Sequence, residues 1–166
     1  MSKRCIVKRK STVALRVILT VLSVLAVGLI FYNSSLDASE SSEQSGALLE
    51  AVNAFLRSIG IGVELSEHLI RKTAHFVEYF VLGVLLNGTW HAYIESCRRA
   101  PMLASACGFV VAVCDELIQL TSAGRSCEVA DMALDFSAVV CASLVTALVL
   151  YTAQRRKNRK EGNDCE

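Results

Sequence analysis

Three groups of ionisable residues lie in or against apolar stretches of this chain: Lys72, His75 and Glu78; Asp115 and Glu116 with Gln119; and Asp131 with Asp135. A charge at the centre of a bilayer helix costs roughly 2.5 to 3.5 kcal/mol even on the milder insertion scale. Such residues persist where they face a helix-bundle interior, a wet cavity or a ligand. Their spacing is helical. Lys72, His75 and Tyr79 recur at i, i+3 and i+7 with Glu78 beside them, and Asp115/Gln119 and Asp131/Asp135 are i, i+4 pairs.

Three chemistries are open to these side chains. Lys72 and Arg125 could engage a phosphate or carboxylate, with Glu78, Tyr79 and Gln119 completing a ligand site and the helices holding an acyl chain. Alternatively, His75 or Glu116 could act as general acid or base while Asp115, Glu128, Asp131 and Asp135 hold a divalent cation. The plain alternative is a structural network, Arg125 pairing with Glu128 or Asp131 and His75 with Glu78 or Asp115. Proton or ion conduction is disfavoured, because the other halves of the helices lack ionisable residues.

The elements that position these groups follow from composition. The chain has 166 residues, 53% of them hydrophobic, and a mean hydropathy of +0.44, above the range of a soluble domain. One proline and 7% aromatic residues suit helices. The expected fold is an all-α, integral membrane four-helix bundle. Its first segment, Val13 to Tyr32, is long enough for about 30 Å of helix and is read as a retained anchor. A cleavable leader has a shorter apolar run, followed by small residues rather than Phe31-Tyr32-Asn33. Segments at about 73–94, 101–121 and 129–151 follow. In 101–121 the apolar side chains favour insertion by roughly 4 kcal/mol, at about 0.5 each, and Asp115 and Glu116 lie toward the end where their cost is smaller.

Basic residues give the expected topology. Residues 1–12 form a basic arm, Arg98-Arg99 a short basic loop, and 152–166 a basic, solvated tail; all three fall on one side if four segments span. Residues 33–67 form the opposite loop, rich in Asp and Glu. The positive-inside rule places both termini in the cytoplasm, Cys97 inside and Cys127 outside, and every ionisable cluster at the outer end. The serine- and acid-rich start of 33–67 reads as a flexible linker. Leu48, Leu49, Val52, Phe55, Leu56 and Ile59 then repeat as an amphipathic helix. Small residues at i+4 spacing, Ala104/Gly108/Ala112 and Ala138/Ala142, predict close helix packing away from the polar end. Cys107, Cys114 and Cys141 read as small hydrophobes, and no CxxC or zinc-finger spacing is present. Nucleic acid is not an expected partner.

Several strings together resemble the VanZ family: Arg71-Lys72-x-x-His75-Phe76-x-Glu78-Tyr79-x-x-Leu82-Gly83, Asp115-Glu116-x-x-Gln119, and Gly124-Arg125 followed by Asp131-x-x-x-Asp135. Phe31-Tyr32-Asn33-Ser34-Ser35 is similar as well, and the likeness runs from about Ile30 to Tyr151 in the family's order. Where that family has glycines, this chain has Ala138 and Ala142, which bears on local packing. The resemblance implies a small multi-pass protein of the cell membrane, with members associated with teicoplanin resistance. Its partner would be a membrane lipid or lipoglycopeptide. It implies no settled reaction, so a metal-dependent enzyme acting on a phospho- or glycolipid stands beside a binder. The metal motif of CDP-alcohol phosphotransferases is incomplete here: its closing Asp-x-x-x-Asp is present, but the preceding Asp-Gly-Ala-Arg is not.

Overall fold

The computed structural model describes residues 12–94, 96, 98–124 and 128–163, and among them there are five helices and no strand. They are α1 (Val13–Ser35), α2 (Ala38–Ser58), α3 (Glu67–Tyr93), α4 (Arg99–Gln119) and α5 (Val129–Asn163). The all-α expectation holds, but with five helices instead of four. Three are long and apolar enough to cross a membrane: α1, α4 and the Val129–Ala153 part of α5, with mean hydropathies of 2.6, 1.7 and 2.2. At 27 residues α3 has the length, but Arg71, Lys72, His75 and Glu78 occupy its first half.

Local chemistry sets the helix limits. Thr12 caps α1 by accepting from the Leu15 N–H (3.4 Å), and Ser66 caps α3 by accepting from the Leu69 N–H (3.3 Å). The serine- and acid-rich stretch expected to be a linker is helical from Ala38 onward. Asp37 and Glu40 form a capping box there, with the Asp37 N–H donating to Glu40 Oε2 (3.4 Å). That start is also tied across the fold. The Ala38 N–H donates to the Ala123 carbonyl (3.1 Å), and the Ala123 N–H donates to Asp37 Oδ1 (3.3 Å). A second difference is the length of α5, which continues as one helix past Tyr151 to Asn163.

α3 is the central element, packed against α1, α2, α4 and α5. The core comprises Ile30, Tyr79, Leu82, Ala112, Ala138 and Val139, while the apolar side chains of α1 point mostly outward, Val13 being 75% exposed and Leu29 63%. An apolar surface of this extent suits lipid as solvent. All five predicted small residues are buried. A Cβ on Gly108 would lie 2.6 Å from Val139 Cγ1, and one on Gly83 would lie 2.7 Å from Ala142 Cβ, so α5 approaches both α3 and α4 backbone closely. The polar side chains packed between helices in this half are neutral. Asn87 donates to Ser143 Oγ (2.9 Å) and to the Gly83 carbonyl (2.8 Å), and Ser23 and Thr89 hydroxyls meet at 3.1 Å.

Candidate functional site

The opposite half is where the ionisable residues collect. Four side chains on one face of α3, at His68, Arg71, Lys72 and His75, follow the i, i+3, i+4, i+7 pattern. They look across a cavity of about 110 Å³ toward Glu116 and Gln119 at the end of α4, and toward Asp131 and Asp135 in the opening turns of α5. Ala38, Gly124, Glu128 and Leu134 complete the lining. Gly124 takes φ +74° in the α4–α5 turn, a left-handed conformation suited to glycine, and a Cβ there would sit 3.1 Å from Ala38 Cβ. The turn and the α2 start therefore close over the cavity together.

Burial deepens inward. Asp115 is 0% exposed, Glu116 and Asp135 are 1%, and Gln119 is 8%. Gln119 Nε2 donates to Asp115 Oδ2 (3.3 Å), and the Glu128 N–H donates to Glu116 Oε2 (3.0 Å). Lys72 Nζ lies 2.6 Å from Asp131 Oδ1 in a half-buried ion pair between α3 and α5. His75, Asp115 and Asp135 each offer one ligand atom, and these three atoms lie within 4.8 Å of one another.

The expected site residues thus divide. Lys72, His75, Glu116, Gln119, Glu128, Asp131 and Asp135 line the cavity, and Asp115 is buried in the cluster behind them. Of the four acids considered together as metal ligands, Asp115 and Asp135 converge on His75, whereas Asp131 faces Lys72. Glu78 instead accepts from Asn33 Nδ2 (2.8 Å) and lines a neighbouring cavity of about 140 Å³ with Ser41, Ser45, Arg71 and His75. Tyr79 is wholly buried within the core. Arg125, Cys97 and Cys127 lie outside the described residues. His68 and Arg71 were not among the expected site residues, although they stand seven and four residues before His75, on the same helical face. Asn33 belongs to the Phe31–Ser35 string, but its place beside Glu78 follows only from the fold.

Chemically, the cavity presents cationic groups on its α3 wall and carboxylates on its α4 and α5 walls. At about 110 Å³ it is well below the roughly 300–1,000 Å³ that encloses a drug-sized ligand. A headgroup or an ion fits it, not a lipid body.

An all-helical protein with apolar outer faces and a buried polar cluster at one end of its helices is an integral membrane protein with a specialised interior. The VanZ/LLP1 family signature matches residues 19–150, and the chain belongs to that family. The match spans the described helices from within α1 to the apolar part of α5, leaving out the basic segments at both ends. No curated protein and no solved structure matches the chain.

Proposed function

We propose that this protein is a four-span protein of the cell membrane, with both termini cytoplasmic and the α3–α4–α5 cavity opening outward. There it takes the charged headgroup of an amphiphilic cell-envelope component, whose acyl part stays among the lipid-facing helices. In this role it lowers susceptibility to teicoplanin-like lipoglycopeptides. The observation that carries the reading is the cavity itself: headgroup-sized, with His68, Arg71 and Lys72 opposite Glu116, Asp131 and Asp135 at the end of the apolar helices. Phosphate and carboxylate groups are recognised by such Arg/Lys arrays. Exposed Phe55, Ile59 and Val63 beside the polar end suit α2 and its following loop to the membrane surface.

The test is expression in a susceptible Gram-positive host. Tolerance should rise more for teicoplanin, which carries an acyl chain, than for vancomycin. Arg71→Gln and Glu116→Gln should each abolish the effect at unchanged abundance in the membrane. Unchanged susceptibility to both antibiotics, with the wild-type protein present in the membrane, removes this function.

A second reading, a metal-dependent enzyme acting on a phospho- or glycolipid, is favoured by one observation, the convergence of His75 with Asp115 and Asp135. In it Glu116, beside that cluster, is the general base.

A further inference from the structure

We infer that His75, Asp115 and Asp135 form a three-ligand site for a divalent first-row transition cation, zinc being the best fit, at the floor of the cavity. The inference deepens the reading of that cavity as a working site and rests on it only for the role of the open coordination positions.

Three helices supply one ligand each: His75 from α3, Asp115 from α4 and Asp135 from α5, with their ligand atoms within 4.8 Å of one another. A zinc ion binds His nitrogen and carboxylate oxygen at about 2.0–2.2 Å. Its ligand atoms then stand about 3.4 Å apart in tetrahedral geometry, so closure needs movements on the order of 1 Å. Three protein ligands leave at least one coordination position, and Asp135 and His75 both line the cavity, so that position faces it.

A second observation points to a cation independently of the clustering. Asp135 is 1% exposed, and its Oδ1 has no hydrogen-bond partner among the described residues although it is cut off from solvent. A buried carboxylate oxygen left in this way is costly unless a cation meets it. The nearby ammonium does not serve: Lys72 Nζ is held on Asp131 at 2.6 Å. Asp115, by contrast, is already oriented, because Gln119 Nε2 donates to its Oδ2 at 3.3 Å and the Ser34 and Tyr79 hydroxyls face the same carboxylate. Such outer partners are how metal-binding carboxylates are usually aimed. The donor set selects the ion. Calcium and magnesium prefer all-oxygen shells, whereas one imidazole with two carboxylates suits zinc, manganese or iron.

The test uses the full chain purified in detergent without a polyhistidine tag, stripped by a chelator and titrated with zinc chloride. The expected result is one zinc per chain by calorimetry and elemental analysis, with a rise in the thermal transition. Asp135→Asn should weaken zinc binding by at least tenfold, and so should His75→Gln. Glu64→Gln, at an exposed acid that does not line the cavity, should bind as wild type. In the metal-free state Asp135→Asn should be no less stable than wild type, since it removes one of two buried carboxylates that face each other. Wild-type protein that takes up no zinc beyond a chelator-washed blank overturns the inference without recourse to any variant. Equal uptake by wild type and both variants overturns it too, by marking the zinc as adventitious. Zinc binding without any change in antibiotic tolerance would sink the proposed function and leave the metal site standing; the converse result would do the opposite.

Discussion

The contact between Gly108 and Val139 offers a prediction whose sign reverses with background. A Cβ added at Gly108 would stand 2.6 and 2.8 Å from the two γ-carbons of Val139 and 3.2 Å from its Cβ, well inside contact distance. Val139 is fully buried, and a β-branched side chain in a helix has one strongly preferred rotamer, so it cannot swing clear. Overpacking of this kind costs about 1–3 kcal/mol. Replacing glycine by alanine in a helix returns about 1 kcal/mol of propensity. Gly108→Ala should therefore destabilise by about 1 kcal/mol net. In a Val139→Ala background both γ-carbons are gone and the remaining 3.2 Å approach to Cβ needs a shift of only a few tenths of an ångström, so the propensity gain dominates and the same substitution should stabilise by about 1 kcal/mol. The coupling is about 2 kcal/mol, roughly thirtyfold in the folded-to-unfolded ratio. Reversible unfolding in mixed micelles, followed by the fluorescence of the single tryptophan, Trp90, measures it. Gly28→Ala is the control, since nothing lies within 4 Å of a Cβ there, and it should be neutral or stabilising in either background. Gly108→Ala effects of the same sign in both backgrounds, additive within about 0.5 kcal/mol, would refute the close packing of α4 on α5.

Two further outcomes test the arrangement. In a cysteine-free background, a membrane-impermeant maleimide on intact cells should label Glu64→Cys, whose side chain is 77% exposed, and spare Arg98→Cys on the opposite loop; the reverse pattern sinks the proposed orientation. Asn87→Leu should cost about 0.6–1.7 kcal/mol in micelles and show coupling to Ser143→Ala, because Asn87 Nδ2 bonds Ser143 Oγ at 2.9 Å; strict additivity would mean that bond contributes nothing.

Much of this was legible from residue spacing. The small residues at i+4 intervals are those buried between helices, and the charged residues of three separate segments do gather at one end. The start of α2 was harder to read because serines and acids at residues 39–43 carry a composition typical of linkers. Yet Asp37-x-x-Glu40 is a capping signature, and its effect is completed by hydrogen bonds to Ala123, distant in sequence. The length of α5 was missed for a different reason: a change from apolar to basic side chains ends a membrane segment but has no need to end a helix. Pairing was the least legible level. The helical period shows that Asp131 and Asp135 share a face, but not that Asp131 meets Lys72 while Asp135 meets Asp115 and His75. That division depends on the relative height of three helices.

Helix height is itself set in the uncharged half. From Gly108 to Asp115 is about 10 Å along α4, and from Val139 back to Asp135 is about 6 Å along α5. The contact of Gly108 with Val139 thus fixes how far apart the two buried acids stand. Gly83 against Ala142 does the same between α3 and α5, eight residues beyond His75. The side chains named in that half, Asn87, Ser143, Ser23 and Thr89, are neutral and each makes at least one hydrogen bond, so no charge there requires a ligand to stabilise it. The other end differs: Asp115, Glu116 and Asp135 are as deeply buried, but they are ionisable. Packing without charge at one end therefore sets the spacing of buried carboxylates at the other. Because the framework holding Asp115 and Asp135 is assembled from uncharged contacts, closing on a cation would ask only for side-chain movements on the order of 1 Å.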